Sequence, residues 1–213
     1  MSLGMVHTIA YGDEKPRVIA GPMTYEEFLQ RDGDPHVEWV NGGVTRMAPI
    51  SDVHDDLHGF LIAVLRARAE AVGDGTIRHD PFQMKLPAGG PGRAPDLQYV
   101  LNAHQSILKP TYTDGAADLV IEIASPGTRG VDRGDKFVEY EAGGVPEYWL
   151  LDPVRKQHEF YLLGQDGVYR LATVPADGVY RSPTIPGLWI RIDWLNQRPL
   201  PTVVTVLKEW GVI

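Results

Sequence analysis

The 213 residues are 43% apolar and 23% charged and include no cysteine, which suits one globular domain of ordinary size and excludes disulfides, thiolate zinc sites and cysteine nucleophiles. The net charge of −8, from 28 acidic and 20 basic residues, counts against a general nucleic-acid coat protein, yet it does not exclude a metal enzyme that gathers carboxylates and needs only a local basic rim. No apolar run approaches the ~20 residues of a membrane span. The opening MSLGMVHTIA lacks the basic and apolar segments of a signal peptide, so a cytoplasmic location is expected.

Residues 1–20 show no periodicity and are expected as an arm or edge strand, ahead of one domain over 21–195 and its C-terminal extension over 196–213. Thr24 and Glu27 fit a capping box before a short apolar stripe at Tyr25, Phe28 and Leu29. Residues 36–49 read as a hairpin turning around Asn41-Gly42-Gly43. Ser51 or Asp52 can cap a longer helix with its stripe at Val53, Leu57, Phe60, Leu61, Val64 and Leu65, ending before Gly73. Residues 76–87 are strand-like, and the Gly- and Pro-rich stretch 87–93 reads as a loop.

APDLQYVL (94–101) is a strand, and DLVIEIA (118–124) is a stronger one, apolar at almost every position and so expected to be buried on both faces. A polar connection over 125–134 leads to a short helix closed by a glycine pair at 143–144, then to another central strand, VPEYWLLDP (145–153). From Arg155 onward EFYLL, GVYRLA and LWIRIDWL alternate with turn signals, as in antiparallel β-structure. This order describes an α/β domain with a mixed sheet.

Two carboxylates stand out. Asp96 heads its strand, and Glu122 lies inside the apolar run Leu119–Ile123. A carboxylate there needs a partner, because ionised groups resist leaving water. The partner is either a buried Arg or Lys in a structural ion pair, or a divalent metal held by both carboxylates and a backbone carbonyl, a hard-oxygen setting that Mg²⁺ prefers. Lys136 lies on the short helix that follows. It is an ordinary helical lysine with Tyr140 packed one turn on, unless the helix folds back over the strand and brings the ammonium to a metal-bound water.

LVIEIASPGT, then Asp132, Lys136 and Tyr140, then GVPEYWLLDP, resemble the Uma-two family of restriction endonucleases, and PDLQYV and VEWVNGGV fit the same pattern. The resemblance covers roughly residues 22–195. It implies a restriction-endonuclease-like mixed β-sheet flanked by helices, with additional C-terminal antiparallel strands. It also places the chain in the PD-(D/E)XK superfamily, which hydrolyses nucleic-acid phosphodiesters with Mg²⁺, for which Mn²⁺ can substitute.

On that resemblance Asp96 and Glu122 are the metal carboxylates and the Ile123 carbonyl assists them. The lysine expected at position 124 is replaced by Ala124, which points to Lys136 as a migrated equivalent. Glu38 resembles the additional upstream glutamate, against the alternative of a half-exposed strand carboxylate. The implied substrate is DNA, and a homodimer is expected because duplex cleavage by a single-site nuclease is simplest with two copies, with Trp189 and Trp194 expected at its interface. The competing function is a catalytically inactive nuclease-fold module for nucleic-acid binding or assembly.

His54-Asp55-Asp56-Leu57-His58 places two histidines at i and i+4, as in zinc peptidases. Asp55 is short for the general base and no third ligand follows, which counts against a zinc peptidase. The resemblance, in which Ser-x-x-His often stands at this helix start, implies that His54 lines the nuclease cleft as a candidate phosphate contact, and His58 is expected on the surface. Arg93, Arg129 and Arg133 flank the site and are the candidate phosphate contacts.

Overall fold

Asn41 and Gly42, at φ +49° and +80°, supply the two left-handed residues that a two-residue hairpin turn requires. They join β2 (Val37–Val40) to β3 (Gly43–Arg46) with Trp39 opposite Val44. The computed structural model describes residues 16–33, 36–47, 50–87, 89–125, 130 and 133–213. β1 (Arg17–Ala20) pairs with β3, so the expected arm ends as an edge strand of the sheet. With β5 (Gln83–Lys85), β6 (Gly92–Arg93) and β8 (Tyr112–Asp114), these strands form a six-stranded sheet ordered β1-β3-β2-β6-β5-β8. α1 (Tyr25–Leu29) begins in the expected Thr24–Glu27 capping box and buries Tyr25 and Phe28 against Val44.

The second sheet contains β4 (Gly75–His79), β7 (Leu97–Leu101), β9 (Leu119–Ile123), β10 (Glu147–Asp152), β11 (Gln157–Leu163) and β12 (Tyr169–Leu171). Its order is β12-β11-β10-β9-β7-β4, with β9 and β10 parallel and the other pairs antiparallel. Every residue of β9 and β10 is buried, because helices cover both faces. α2 (Asp52–Val72) starts at the Ser51 cap and ends at Gly73, which is left-handed at φ +72°. It lays Leu57, Leu61, Val64 and Leu65 on Leu119, Ile121 and Ile123, and each such side chain contributes about 1.5–3 kcal/mol by burial.

α3 (Asp135–Gly143) covers the opposite face, with Tyr140 in the cluster that holds Val120, Tyr148 and Leu150. Alternation along β9 therefore turns Glu122 toward α3, between Ile121 and Ile123 on the α2 side.

Three expectations need correction. Residues 76–87 form two strands in two different sheets, because the chain bends at Asp80-Pro81 between β4 and β5. The stretch 87–93 contains β6, which bridges β2 and β5. LWIRIDWL is strand only over β14 (Trp189–Arg191), which pairs with β13 (Val179–Arg181); α4 (Ile192–Asn196) follows directly. α5 (Val203–Glu209) closes the chain by packing Val206 into the α2-side core. Trp189 and Trp194 lie against each other, ring centroids 5.3 Å apart, with Trp210 6.4 Å from each. Among the described residues no helix is long and apolar enough to cross a membrane.

Candidate active site

The two sheets and α3 each deliver part of one charged cluster. β9 carries Glu122, the turn into β7 carries Asp96, β2 carries Glu38 and α3 carries Lys136. All four line a cavity of about 50 Å³, together with Asp80, His54 and Ile123. Lys136 thus reaches the strand. Lys136 Nζ stands 2.9 Å from Glu122 Oε2 and 3.6 Å from Glu38 Oε1, and all three side chains are almost fully buried. One turn along α3, the Tyr140 hydroxyl donates to Glu122 Oε1 at 2.6 Å. The i and i+4 positions of one helix therefore address the two oxygens of a single carboxylate. The sequence marked Tyr140 as a packing neighbour of Lys136 and as part of the family pattern, without a bond to Glu122.

Glu38 is only 1% exposed, not a half-exposed strand residue. It accepts from Arg93 Nη1 at 2.8 Å and from the Ala94 amide at 3.2 Å. Burial pushes its pKa up, but Lys136 and Arg93 outweigh burial and hold it below the usual glutamate value of 4.5. Arg93 corrects another expectation: at 2% exposure it is no rim residue. Its Nε and Nη2 grip Glu139 at 2.6 and 2.8 Å in a two-pronged pair while Nη1 holds Glu38. The result is a buried chain of alternating charge, Glu122–Lys136–Glu38–Arg93–Glu139. Glu139 carried no signal in the sequence, because its role depends on Arg93 arriving from the other sheet.

Asp96 takes hydrogen bonds on Oδ2 from the Ile123 amide at 2.6 Å and from His54 Nε2 at 3.3 Å. Burial pushes its pKa up, but His54, Lys136 and the Ile123 amide together bring it below the usual aspartate value. Asp80, unmarked in the sequence reading, shows the opposite balance. Burial and the neighbouring charge of Asp96 raise it, although His36, 3.4 Å away, works against them. Its one sequence signal was an acidic residue at the Asp-Pro break between two strands. His58, expected on the surface, is half-buried and hydrogen-bonded to the Asp96 carbonyl at 2.8 Å. Arg133 pairs with Glu159 at 3.2 Å. Arg129 and Asp132 lie outside the described residues.

The donor chemistry of the cavity fits a hard divalent cation. Asp80, Asp96 and Glu122 offer carboxylate oxygens there, and like-charge repulsion between Asp80 and Asp96 is the stress that a cation relieves. Among the described residues, however, no three His, Asp or Glu side chains stand ready-made in a metal-holding group. Glu122 is held by Lys136 and Tyr140, so as a ligand it would share its oxygens between them and the cation.

Two mixed sheets flanked by helices give the chain a nuclease-like α/β fold. The structure of a protein described as "a putative nuclease belonging to DUF820" from Anabaena variabilis superposes with a TM-score of 0.66, at 18% identity, over 82% of this chain and 97% of that one. A family model described as "Putative restriction endonuclease" (Uma2) matches residues 25–194, and the chain belongs to that family. Among curated proteins no match is found.

Proposed function

We propose that the chain is a divalent-metal-dependent endonuclease that hydrolyses DNA phosphodiester bonds. The observation that carries this reading is the convergence of Asp96, Glu122 and Lys136 on one cavity, with the Lys136 ammonium 2.9 Å from Glu122. Asp96, Glu122 and the Ile123 carbonyl would hold Mg²⁺ or Mn²⁺, with Asp80 beside them. When bound, the cation supplies Lewis-acid stabilisation of phosphate charge and lowers the pKa of a coordinated water.

The protein's own groups do the rest. Lys136 presents its ammonium where negative charge develops on the phosphoryl oxygens and orients the attacking water by hydrogen bonding. Glu38 holds Lys136 in place and is itself fixed by Arg93, which Glu139 grips in turn, so the ammonium is aimed before substrate arrives. The Ile123 amide fixes Oδ2 of Asp96, leaving Oδ1 for the metal. Cleavage of duplex DNA is simplest with two copies, and we expect a homodimer, measurable by light scattering.

One observation favours the second reading, an inactive nuclease-fold module: both oxygens of Glu122 are engaged within the protein. Plasmid and single-stranded DNA incubated with Mg²⁺ or Mn²⁺ decide between them. Cleavage that disappears in Asp96→Asn and Glu122→Gln supports the nuclease. An inert wild-type protein whose variants bind Mn²⁺ as well as it does would refute it in favour of the module.

A further inference from the structure

The i and i+4 histidines of α2 remain unexplained by the proposed chemistry. We infer that His54 and His58 are a positioning pair that grips Asp96 at its carboxylate and at its backbone and thereby sets the affinity of the site for a divalent cation. The inference rests on the metal-dependent reading above and assigns a task to residues which that reading leaves idle.

The geometry is specific. His54 is 5% exposed and directs Nε2 at Asp96 Oδ2. One turn later His58 directs Nε2 at the Asp96 carbonyl at 2.8 Å. A carbonyl oxygen only accepts, so His58 must carry its proton on Nε2. The same carbonyl also accepts from the Asp80 amide at 3.4 Å, which ties the two aspartates of the cavity through one atom. The row extends to His79, whose ring centroid lies 5.9 Å from that of His58 and whose Nδ1 donates to the Asp80 carbonyl at 2.8 Å. Three imidazoles in file thus hold the backbone or the side chain of both acids.

Both Nε2 atoms of the α2 pair are committed to Asp96. His54 and the Ile123 amide share Oδ2, so together they fix the carboxylate rotation and the direction of Oδ1. Without His54 the carboxylate keeps a single anchor and can turn about it. Groups that orient a metal-ligating carboxylate in this way typically govern about 10–100-fold in metal affinity.

The test is calorimetric titration of the full chain with Mn²⁺ alone, with thermal unfolding in EDTA recorded for each protein. His54→Leu keeps bulk and removes the donor, while His54→Gln keeps an N–H donor near the same reach. The expected result is a Kd for Mn²⁺ raised about 10–100-fold in His54→Leu and largely recovered in His54→Gln. His58→Leu and His58→Gln should repeat the contrast more weakly, and they carry the test if His54→Leu does not fold. Leucine and glutamine variants that bind Mn²⁺ as the wild type does overturn the inference, and so does equal weakening in both, which marks a packing role. A wild-type protein that binds no Mn²⁺ overturns the metal reading itself along with this one, so the two failures are distinguishable.

Discussion

Replacing Lys136 with Met takes an ammonium from between two carboxylates that have almost no access to water. Glu122 and Glu38 are 2% and 1% exposed, and Lys136 lies 2.9 and 3.6 Å from them. Breaking a buried pair by removing one partner costs about 3–5 kcal/mol, because the partner left behind is still desolvated. For a chain of this length that lowers Tm by roughly 6–20 °C. Lys136 is also the larger of the two charges that pull Glu38 below its ordinary value against burial. In the wild type this depressed pKa contributes stability that is present above the ordinary glutamate value of 4.5 and is lost as pH falls through the folded-state value. In Lys136→Met the depression weakens and the glutamate takes up a proton at higher pH. The deficit should therefore be widest near neutral pH and should narrow as pH falls through the ordinary glutamate range. Thermal unfolding in EDTA at several pH values measures it. A wild-type Tm near neutral pH, or a deficit that stays constant on acidification, would refute the buried charge chain.

Arg93 and Arg133 separate internal support from nucleic-acid contact. Arg93→Met should cost about 3–5 kcal/mol in denaturant unfolding and leave the salt dependence of DNA binding unchanged. Arg133→Ala should lower that salt slope by about one with little loss of stability, and a reversed outcome would restore Arg93 to the phosphate rim. Glu147, fully buried, accepts from Trp149 Nε1, the Tyr180 hydroxyl, Ser182 Oγ and the Thr184 amide. Glu147→Gln turns an amide toward donors and should lose about 3 kcal/mol in urea unfolding with Mn²⁺ affinity intact; a stable variant would show that these bonds do not hold β13 to the sheet. Asn41→Ala should cost about 1–2 kcal/mol for its left-handed φ, and Asn41→Gly should not, as chemical denaturation can measure.

Local chemistry explains what was readable in advance. A capping box, a hairpin turn around Asn41-Gly42-Gly43, the apolar stripe of α2 and its terminal glycine, and the nearly continuous apolar run of β9 are each decided by neighbours within a few residues. Glu122 was legible for the same reason, since a charge inside a buried strand must find a partner wherever the rest of the chain goes. The assignment of LWIRIDWL to strand failed where packing overrode pattern: Trp194 and Leu195 reach the core from a short helix, which alternation along a strand does not describe. The division of 76–87 between two sheets likewise depends on strands far away in the chain.

The sequence by itself determined that Glu122 needs a positive partner and made Lys136 a candidate, through its place on the helix after the strand and a family likeness. Only the tertiary structure decided that α3 folds back over β9, so that Lys136 and Tyr140 meet Glu122 while Glu38 arrives from the other sheet. It also turned Arg93 from a rim cation into an internal one. The physical reason is range. Propensity, caps and periodicity act within a turn or two, whereas the partner of a buried charge is chosen by which distant strand or helix closes over it.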